Sequence, residues 1–350
     1  MAINFSKTEG PHQGSGALSG GGQHASGAGR SHGNTGGDAG GGSPAGRPRF
    51  DVAVPHDGYR WWYIDAISDD GQNGLTIIGF VGSVFSPYYA SARKRGLAEP
   101  ENHCAINVAL YGTKRRWAMT ERAQRHVSRN ANSFVVGPSS MRWEDDELVI
   151  AISETCVPWP FALRGSVRLK ANHIYDAPVS LNNAGQHFWQ AVAPQARVAV
   201  EFENPNLSWE GNAYHDMNWG DEPIERGFKN WTWARATTNR GVEVLYDLER
   251  HDGSAHRFGL CFQKGEVSAR NVPAVHGLAR GFWGMKRTAP SETAPRLIAT
   301  LEDAPFYTRN HVALTLDGVA CEAIHESLSL DRFVHPLVQL MLPFRMPRVR

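Results

Sequence analysis

Apolar and polar positions alternate along most of the chain beyond residue 48. Leu163, Gly165, Val167 and Leu169 interleave with Arg164, Ser166 and Arg168, and Val198, Val200 and Phe202 interleave with Arg197, Glu201 and Glu203. A period of two puts each apolar set on one face, so both segments are predicted to be half-buried strands. Trp61–Ile67 and Leu75–Val84 flank the turn DDGQNG, while Val242–Glu249 and His256–Gln263 flank HDGSA, and Asp-Gly and Asn-Gly are the turn chemistry of hairpins. Helical spacing is weak and confined to Tyr88–Gly96, part of Met119–Val127 and the stretch around Leu330–Leu340. Many short antiparallel strands imply a sandwich or barrel, since closure hides strand edges. One barrel uses roughly 150 residues, and the patterned region is about twice that. The expected fold class is therefore all-β, with two antiparallel barrel or sandwich domains over 49–190 and 191–350, divided in the loop-like stretch 174–194.

Composition changes this picture at the N-terminus. Residues 1–48 are Gly, Ser, Ala and His with almost nothing apolar to bury, and are expected to form a disordered tail in which His24 and His32 are too sparse to hold a metal. The whole chain of 350 residues carries 36 Lys and Arg against 35 Asp and Glu, so no global field recruits nucleic acid. Cys104, Cys156, Cys261 and Cys321 lie far apart with no CxxC pair, which disfavours a zinc ribbon and a disulfide framework and makes a reduced, cytoplasmic chain the expectation. The first residues lack the basic and apolar regions of a secretory signal, and no apolar stretch reaches the roughly 18 residues of a membrane span.

Cofactor and nucleophile motifs are missing: there is no GxSxG elbow, no GxGxxG opening a helix, no GxxxxGK[ST] and no HExxH. No cofactor or metal is expected. The densest polar-aromatic region is WEGNAYHDMNWG at 209–220, followed by FKNWTWAR and VEVLYDLER, which together hold Tyr214, His215, Asp216, Trp219, Trp231, Trp233, Tyr246 and Asp247. On a strand Trp231 and Trp233 share a face, as do Val244 and Tyr246, whereas Asp247 shares the opposite one with Leu245. Facing a cavity lined by indoles, Asp247 would be desolvated and able to donate a proton near neutral pH; facing water, it is an ordinary strand residue. His215 and Asp216 read equally as a polar turn between strands, and no second ligand at metal spacing accompanies the histidine. In RWWYID, Trp61, Tyr63 and Asp65 share one face and Trp62, Ile64 and Ala66 the other, a pattern expected of core packing.

The segment WWYIDAISDDGQNGLTIIGFVGSVFSPYYASARKRG, the block YHDMNWG, the WTWAR strand, the Tyr246–Asp247 pair and the ending LMLPFRMPR together resemble the carotenoid 1,2-hydratases, or hydroxyneurosporene synthases, of purple phototrophic bacteria. The resemblance implies a two-domain, lipocalin-like β architecture. It also implies cofactor-free addition of water to the terminal double bond of an acyclic carotenoid such as neurosporene or lycopene. In that reading Asp247 is the proton donor and Tyr246 positions it or the water. Trp219, Trp231 and Trp233 stabilise the tertiary cation through their ring faces. His215 and Asp216 orient the water or take its proton, and Tyr214, Trp61 and Tyr63 complete the substrate-binding aromatics. Met217 stands where members of the family carry a second histidine, so no catalytic histidine carries over there. Two other functions stay open: a non-catalytic binder of apolar ligands, and a terpenoid isomerase or cyclase. The end of the chain, FVHPLVQLMLPFRMPRVR, mixes apolar residues with Arg345, Arg348 and Arg350. It reads either as the last strand of the second domain or as an interfacial segment giving weak peripheral attachment to the cytoplasmic face of the inner or photosynthetic membrane.

Overall fold

The computed structural model describes residues 46–349, so all but the last three residues of the tail expected over 1–48 lie outside the described chain. Two antiparallel sheets account for most of it. Edge to edge, the first runs Arg116–Met119, Ala105–Tyr111, Gly74–Val81, Tyr59–Ser68, Leu207–Gly220, His187–Asn204, Ala162–Ala171, Glu147–Thr155, Ser139–Glu144, Ser133–Val136 and Val127–Asn130, with Val179–Ser180 paired onto His187–Asn204. The second runs Glu266–Arg270, Ala255–Gln263, Gly241–Glu249, Asn230–Thr238, Val319–Ser329, Tyr307–Leu316 and Arg296–Asp303. Both predicted hairpins form, with Gly71 (φ 70°) and Gly253 (φ 80°) supplying the left-handed turn positions.

The first sheet curls on itself, as strand twist favours, around Phe50, Trp62, Ile64, Ile77, Phe134, Met141 and their neighbours. Gly79 makes the close approach possible, because a Cβ there would lie 2.6 Å from the Met141 sulfur on the far side of the curl. Position 190/191 falls inside the strand His187–Asn204, and the change of sheet comes between Gly220 and Asn230. Alternation in 187–191 is masked because both faces of that strand end are buried, one in the curl and one against the second sheet.

Helix forms at Pro87–Lys94, where Ser86 caps the Tyr88 and Tyr89 amides, and at Leu330–Phe333 and Pro336–Met341. None forms across 119–127, which instead contributes strand residues Arg116–Met119 and Glu121–Arg122 and a single 3-10 turn. The chain end is not a strand of the second sheet. Pro336, Pro343 and Pro347 withhold the donors a central strand needs, and Arg348–Val349 crosses back to pair in parallel with Glu121–Arg122. No helix among the described residues is long and apolar enough to cross a membrane.

Candidate active site

The outer face of the curled sheet packs against the second sheet, and a cavity of about 820 Å³ opens between them. That is in the upper part of the size range for small-molecule sites. Register decides which side chains meet there. In the first sheet Ile78, Tyr63, Asp216 and Ala191 lie in one row across four strands. In the second, Tyr246, Trp233, Glu326 and Arg309 form the facing row. Aromatic rings fill the space between the rows: Tyr63 meets Trp233 edge-on with centroids 5.6 Å apart, Tyr214 lies 5.4 Å from Trp233, and Trp231 lies 6.4 Å from Trp61 and 5.6 Å from Tyr246.

One end of the cavity is polar. The Tyr63 hydroxyl donates to Glu326 Oε1 at 2.9 Å, and Arg309 pairs with Glu326 and, at 3.3 Å, with Asp65. Asp65 also accepts from Arg235 and is fully buried. Glu326 lines the cavity with Tyr63 and Tyr307. Burial raises its carboxyl above the usual range, against the opposing pull of Arg309 and of the Tyr63 and Tyr307 hydroxyls. Away from this end the walls are Phe80, Phe85, Met119, Trp231, Leu328 and Leu342. A buried carboxyl whose protonated form burial favours, at one end of a largely apolar, aromatic-walled space, is placed where it could protonate a carbon–carbon double bond.

Asp216 sits behind this wall. Its Oδ2 accepts from Trp189 Nε1 and from the Tyr214 hydroxyl, each at 2.8 Å, while Oδ1 has no hydrogen-bond partner among the described residues. Burial pushes its carboxyl up to about 8; the two donors oppose this, and the Glu326 and Asp65 carboxylates add to it. At neutral pH the group is therefore largely protonated.

The other residues singled out in the sequence divide between two sides of the strands. Trp61, Tyr63 and Trp231 line the cavity. Tyr214, Trp233 and Tyr246 pack directly behind them in the same aromatic cluster. His215 and Trp219 do not join it. They share the opposite face of Leu207–Gly220 with Met217, where His215 donates from Nδ1 to the Tyr63 carbonyl at 2.9 Å and lies 6.3 Å from the Trp143 ring. His215 stands in mid-strand, not in a turn, and burial lowers its imidazole to about 4, so it is neutral at physiological pH. Trp219 stacks on Phe188 at 5.3 Å and carries the Arg60 guanidinium over its face.

Asp247 is placed by the same logic of alternation. Val244, Tyr246 and Leu248 turn toward the first sheet, which sends Asp247 to the far side of the second, where it pairs with Arg257 at 2.9 Å. It is not among the residues lining the cavity.

Glu326, Arg309 and Tyr307 escaped the sequence reading. A usable signal was present: Ile324, Glu326 and Leu328 share one strand face, so Glu326 is an acid between apolar neighbours just as Asp247 is beside Leu245. Among the described residues no group of three or more His, Cys, Asp or Glu is placed to hold a metal ion.

The family model "Carotenoid hydratase CrtC" matches residues 77–350. The chain is 46% identical over 342 residues to an acyclic carotenoid 1,2-hydratase of Thiocapsa roseopersicina, covering 96% of this chain and 84% of that one. It is 45% identical over 313 residues to an acyclic carotenoid 1,2-hydratase of Rubrivivax gelatinosus, covering 87% and 76%. A crystal structure of an AttH protein from Nitrosomonas europaea superposes with a TM-score of 0.54 at 15% identity, covering 81% of this chain and 99% of that one, a likeness that bears on the two-part lipocalin-like fold alone. With most of its length matched by the family model and by relatives at this identity, the chain belongs to the carotenoid hydratase family.

Proposed function

We propose that this chain adds water across the terminal 1,2 double bond of an acyclic carotenoid, with Glu326 as the proton donor. The observation that carries the reading is the placing of Glu326, a carboxyl raised by burial and bonded by Tyr63 at 2.9 Å, at the inner end of a cavity whose walls between that end and the charged mouth are mostly aromatic and aliphatic side chains. The names of the relatives supply the substrate class. An isolated alkene has no carbonyl to polarise, so addition of water starts with proton transfer. Glu326 gives its proton to the less substituted alkene carbon, and the positive charge develops on the tertiary one. The ring faces of Trp61 and Trp231 stabilise that charge, at about 1–2 kcal/mol each in a desolvated site. Water attacks the cation, its surplus proton returns to the Glu326 carboxylate, and a tertiary alcohol leaves with no change in oxidation state. Arg309 and Tyr63 hold Glu326 in place throughout.

A second reading gives the proton to Asp216, favoured by a carboxyl at about 8. Its cost is reach, since Asp216 lies behind the cavity wall. Expression in a cell that accumulates lycopene or neurosporene, with pigments weighed by mass spectrometry, tests the activity: a gain of one water is expected, and unchanged pigment bound to the purified protein would indicate a carrier. Glu326→Gln should lower turnover about 10²–10⁴-fold, the usual range for general acid catalysis. If that variant keeps its rate while Asp216→Asn loses it, Asp216 is the donor.

A further inference from the structure

Several residues that line the cavity are also open to solvent, and they mark its mouth. Trp159 is 70% exposed and Phe161 55%, and Trp283 and Met341 are exposed as well. Beside these stand Phe282 at 89%, next to Trp283, and Leu337, Leu340 and Phe344 at 65%, 69% and 78% along the C-terminal turns that supply Met341. Exposed large apolar residues are ordinary when scattered, but a cluster around one opening marks an interaction surface. The helix Pro336–Met341 turns Val338 inward and leaves Leu337, Leu340 and Met341 outside, so this short segment shows apolar side chains to the solvent where a surface helix usually shows polar ones.

The charge around the mouth is predominantly positive, three arginines against the carboxylates of Glu302 and Asp303. Arg115, Arg116 and Arg345 line it, and none has a carboxylate within salt-bridge distance among the described residues. Arg116 lies over the Phe161 ring at 5.0 Å and Arg345 over the Trp117 ring at 4.3 Å, so each cation stands against an aromatic face. The nearby carboxylates are engaged internally, Glu302 by the Tyr111 hydroxyl and Asp303 by Arg287. Tryptophan, phenylalanine and leucine interleaved with arginines that take part in no salt bridge among the described residues match the two layers of an anionic bilayer surface, with apolar groups for the acyl boundary and cations for the headgroups.

We propose that this rim docks on an anionic lipid bilayer, with Trp159, Phe161, Phe282, Leu340 and Phe344 entering the acyl boundary, Arg115, Arg116 and Arg345 meeting the headgroups, and the cavity mouth facing the leaflet. Its use for substrate uptake rests on the hydration reading, because an acyclic carotenoid resides in the bilayer and has no aqueous route. The surface itself does not rest on that reading.

Flotation of the full chain with vesicles of phosphatidylglycerol and phosphatidylcholine, against phosphatidylcholine alone, tests the proposal. Binding to the anionic vesicles at low salt is expected, with each Arg→Gln change at 115 or 345 lowering the partition coefficient about fivefold. Leu340→Ser combined with Phe344→Ser should abolish flotation while leaving the melting temperature and the hydration of micelle-dispersed substrate unchanged, as neither residue lines the cavity. The proposal is overturned if the chain stays unbound at low salt, or if the double variant floats as the original does. It is also overturned if sedimentation shows a dimer that the double variant dissociates, since the patch would then be covered by a second copy. A chain that hydrates in micelles but does not float refutes the surface and spares the activity; one that floats but never adds water does the reverse.

Discussion

Two faces of one pair of strands, Tyr59–Ser68 and Leu207–Gly220, are equally buried and chemically opposite. The face turned into the curl carries Trp62, Ile64, Ala66, His215 and Met217, and its ionisable groups are a neutral imidazole and, at the strand end, the Arg60 guanidinium stacked on Trp219. The face turned toward the second sheet carries Tyr59, Tyr63, Asp65, Tyr214 and Asp216. Burial costs both faces the same contact with water. Only the second meets a sheet with Arg235, Arg309 and Glu326 at matching positions. Buried charge survives where partners can satisfy it; for this strand pair the partners stand on the second sheet, so its chemistry collects there, while a buried ion pair of the curl, Arg122–Glu154, stands elsewhere in the sheet.

Asp65→Asn should break this arrangement most severely. It removes the ion-pair partner of Arg235 and leaves Arg309 paired with Glu326 alone among the described residues, and breaking one partner out of a buried ion pair costs about 3–5 kcal/mol. Denaturant unfolding would show a lowered midpoint with an unchanged slope. A loss below about 1 kcal/mol would mean that the intersheet charges are solvated and that the contrast between the faces is false.

The second test follows pH. The Asp216 carboxyl stands at about 8 in the folded chain, against an ordinary unfolded value of about 3.9. Below about pH 4 it is protonated in both states and contributes no pH dependence. Between about 4 and 8 the folded state holds more protons than the unfolded, so this group makes stability fall as pH rises, and above about 8 the loss is complete. Asp216→Asn removes that slope. Stability of the original chain relative to the variant should decline steadily from pH 4 to pH 8. A difference that stays flat over that range would place the carboxyl at an ordinary value.

Neighbouring positions sharpen the comparison further. Ile64→Val trims the core face and should cost about 0.5–1.5 kcal/mol with turnover unchanged. Tyr63→Phe, one residue earlier on the other face, removes the donor to Glu326 and should reduce turnover by more than it reduces the melting temperature. If both variants lose stability alone, the intersheet face is packing and nothing more.

The strands and hairpins were legible because alternation and turn chemistry are local. Asp-Gly and Asn-Gly fix a turn whatever surrounds them, and Arg164, Ser166 and Arg168 announce a solvent face without reference to any partner. The split of RWWYID into Trp61–Tyr63–Asp65 and Trp62–Ile64–Ala66 was legible too. Which set faces the cavity was not, since that depends on the second sheet, more than 160 residues away. Asp247 and Glu326 show the limit clearly. Each is an acid on an otherwise apolar strand face, and local pattern treats them alike. Cross-strand register then sends Glu326 to the cavity and Asp247 to the far side. His215 was lost for a related reason: a polar residue in an aromatic strand looks like a site, yet the ring lies in the core, its Nδ1 held by the Tyr63 carbonyl and its Nε2 buried without a hydrogen-bond partner among the described residues.

The smallest expected effect belongs to Asp247 and is informative for that reason. It stands next to Tyr246, whose ring packs 5.6 Å from Trp231, but on the opposite face of the same strand. Its partner Arg257 is half exposed, so the pair is screened by solvent, and such pairs contribute about 0–1 kcal/mol. Asp247→Asn keeps the size of the side chain and one acceptor for Arg257. Stability should therefore move by less than about 1 kcal/mol and turnover by less than about twofold, both measured beside Glu326→Gln in the same preparation. A large loss of turnover from Asp247→Asn in a folded protein would put the acid on the far side of the second sheet, and the intersheet cavity would no longer be the place where the double bond is protonated.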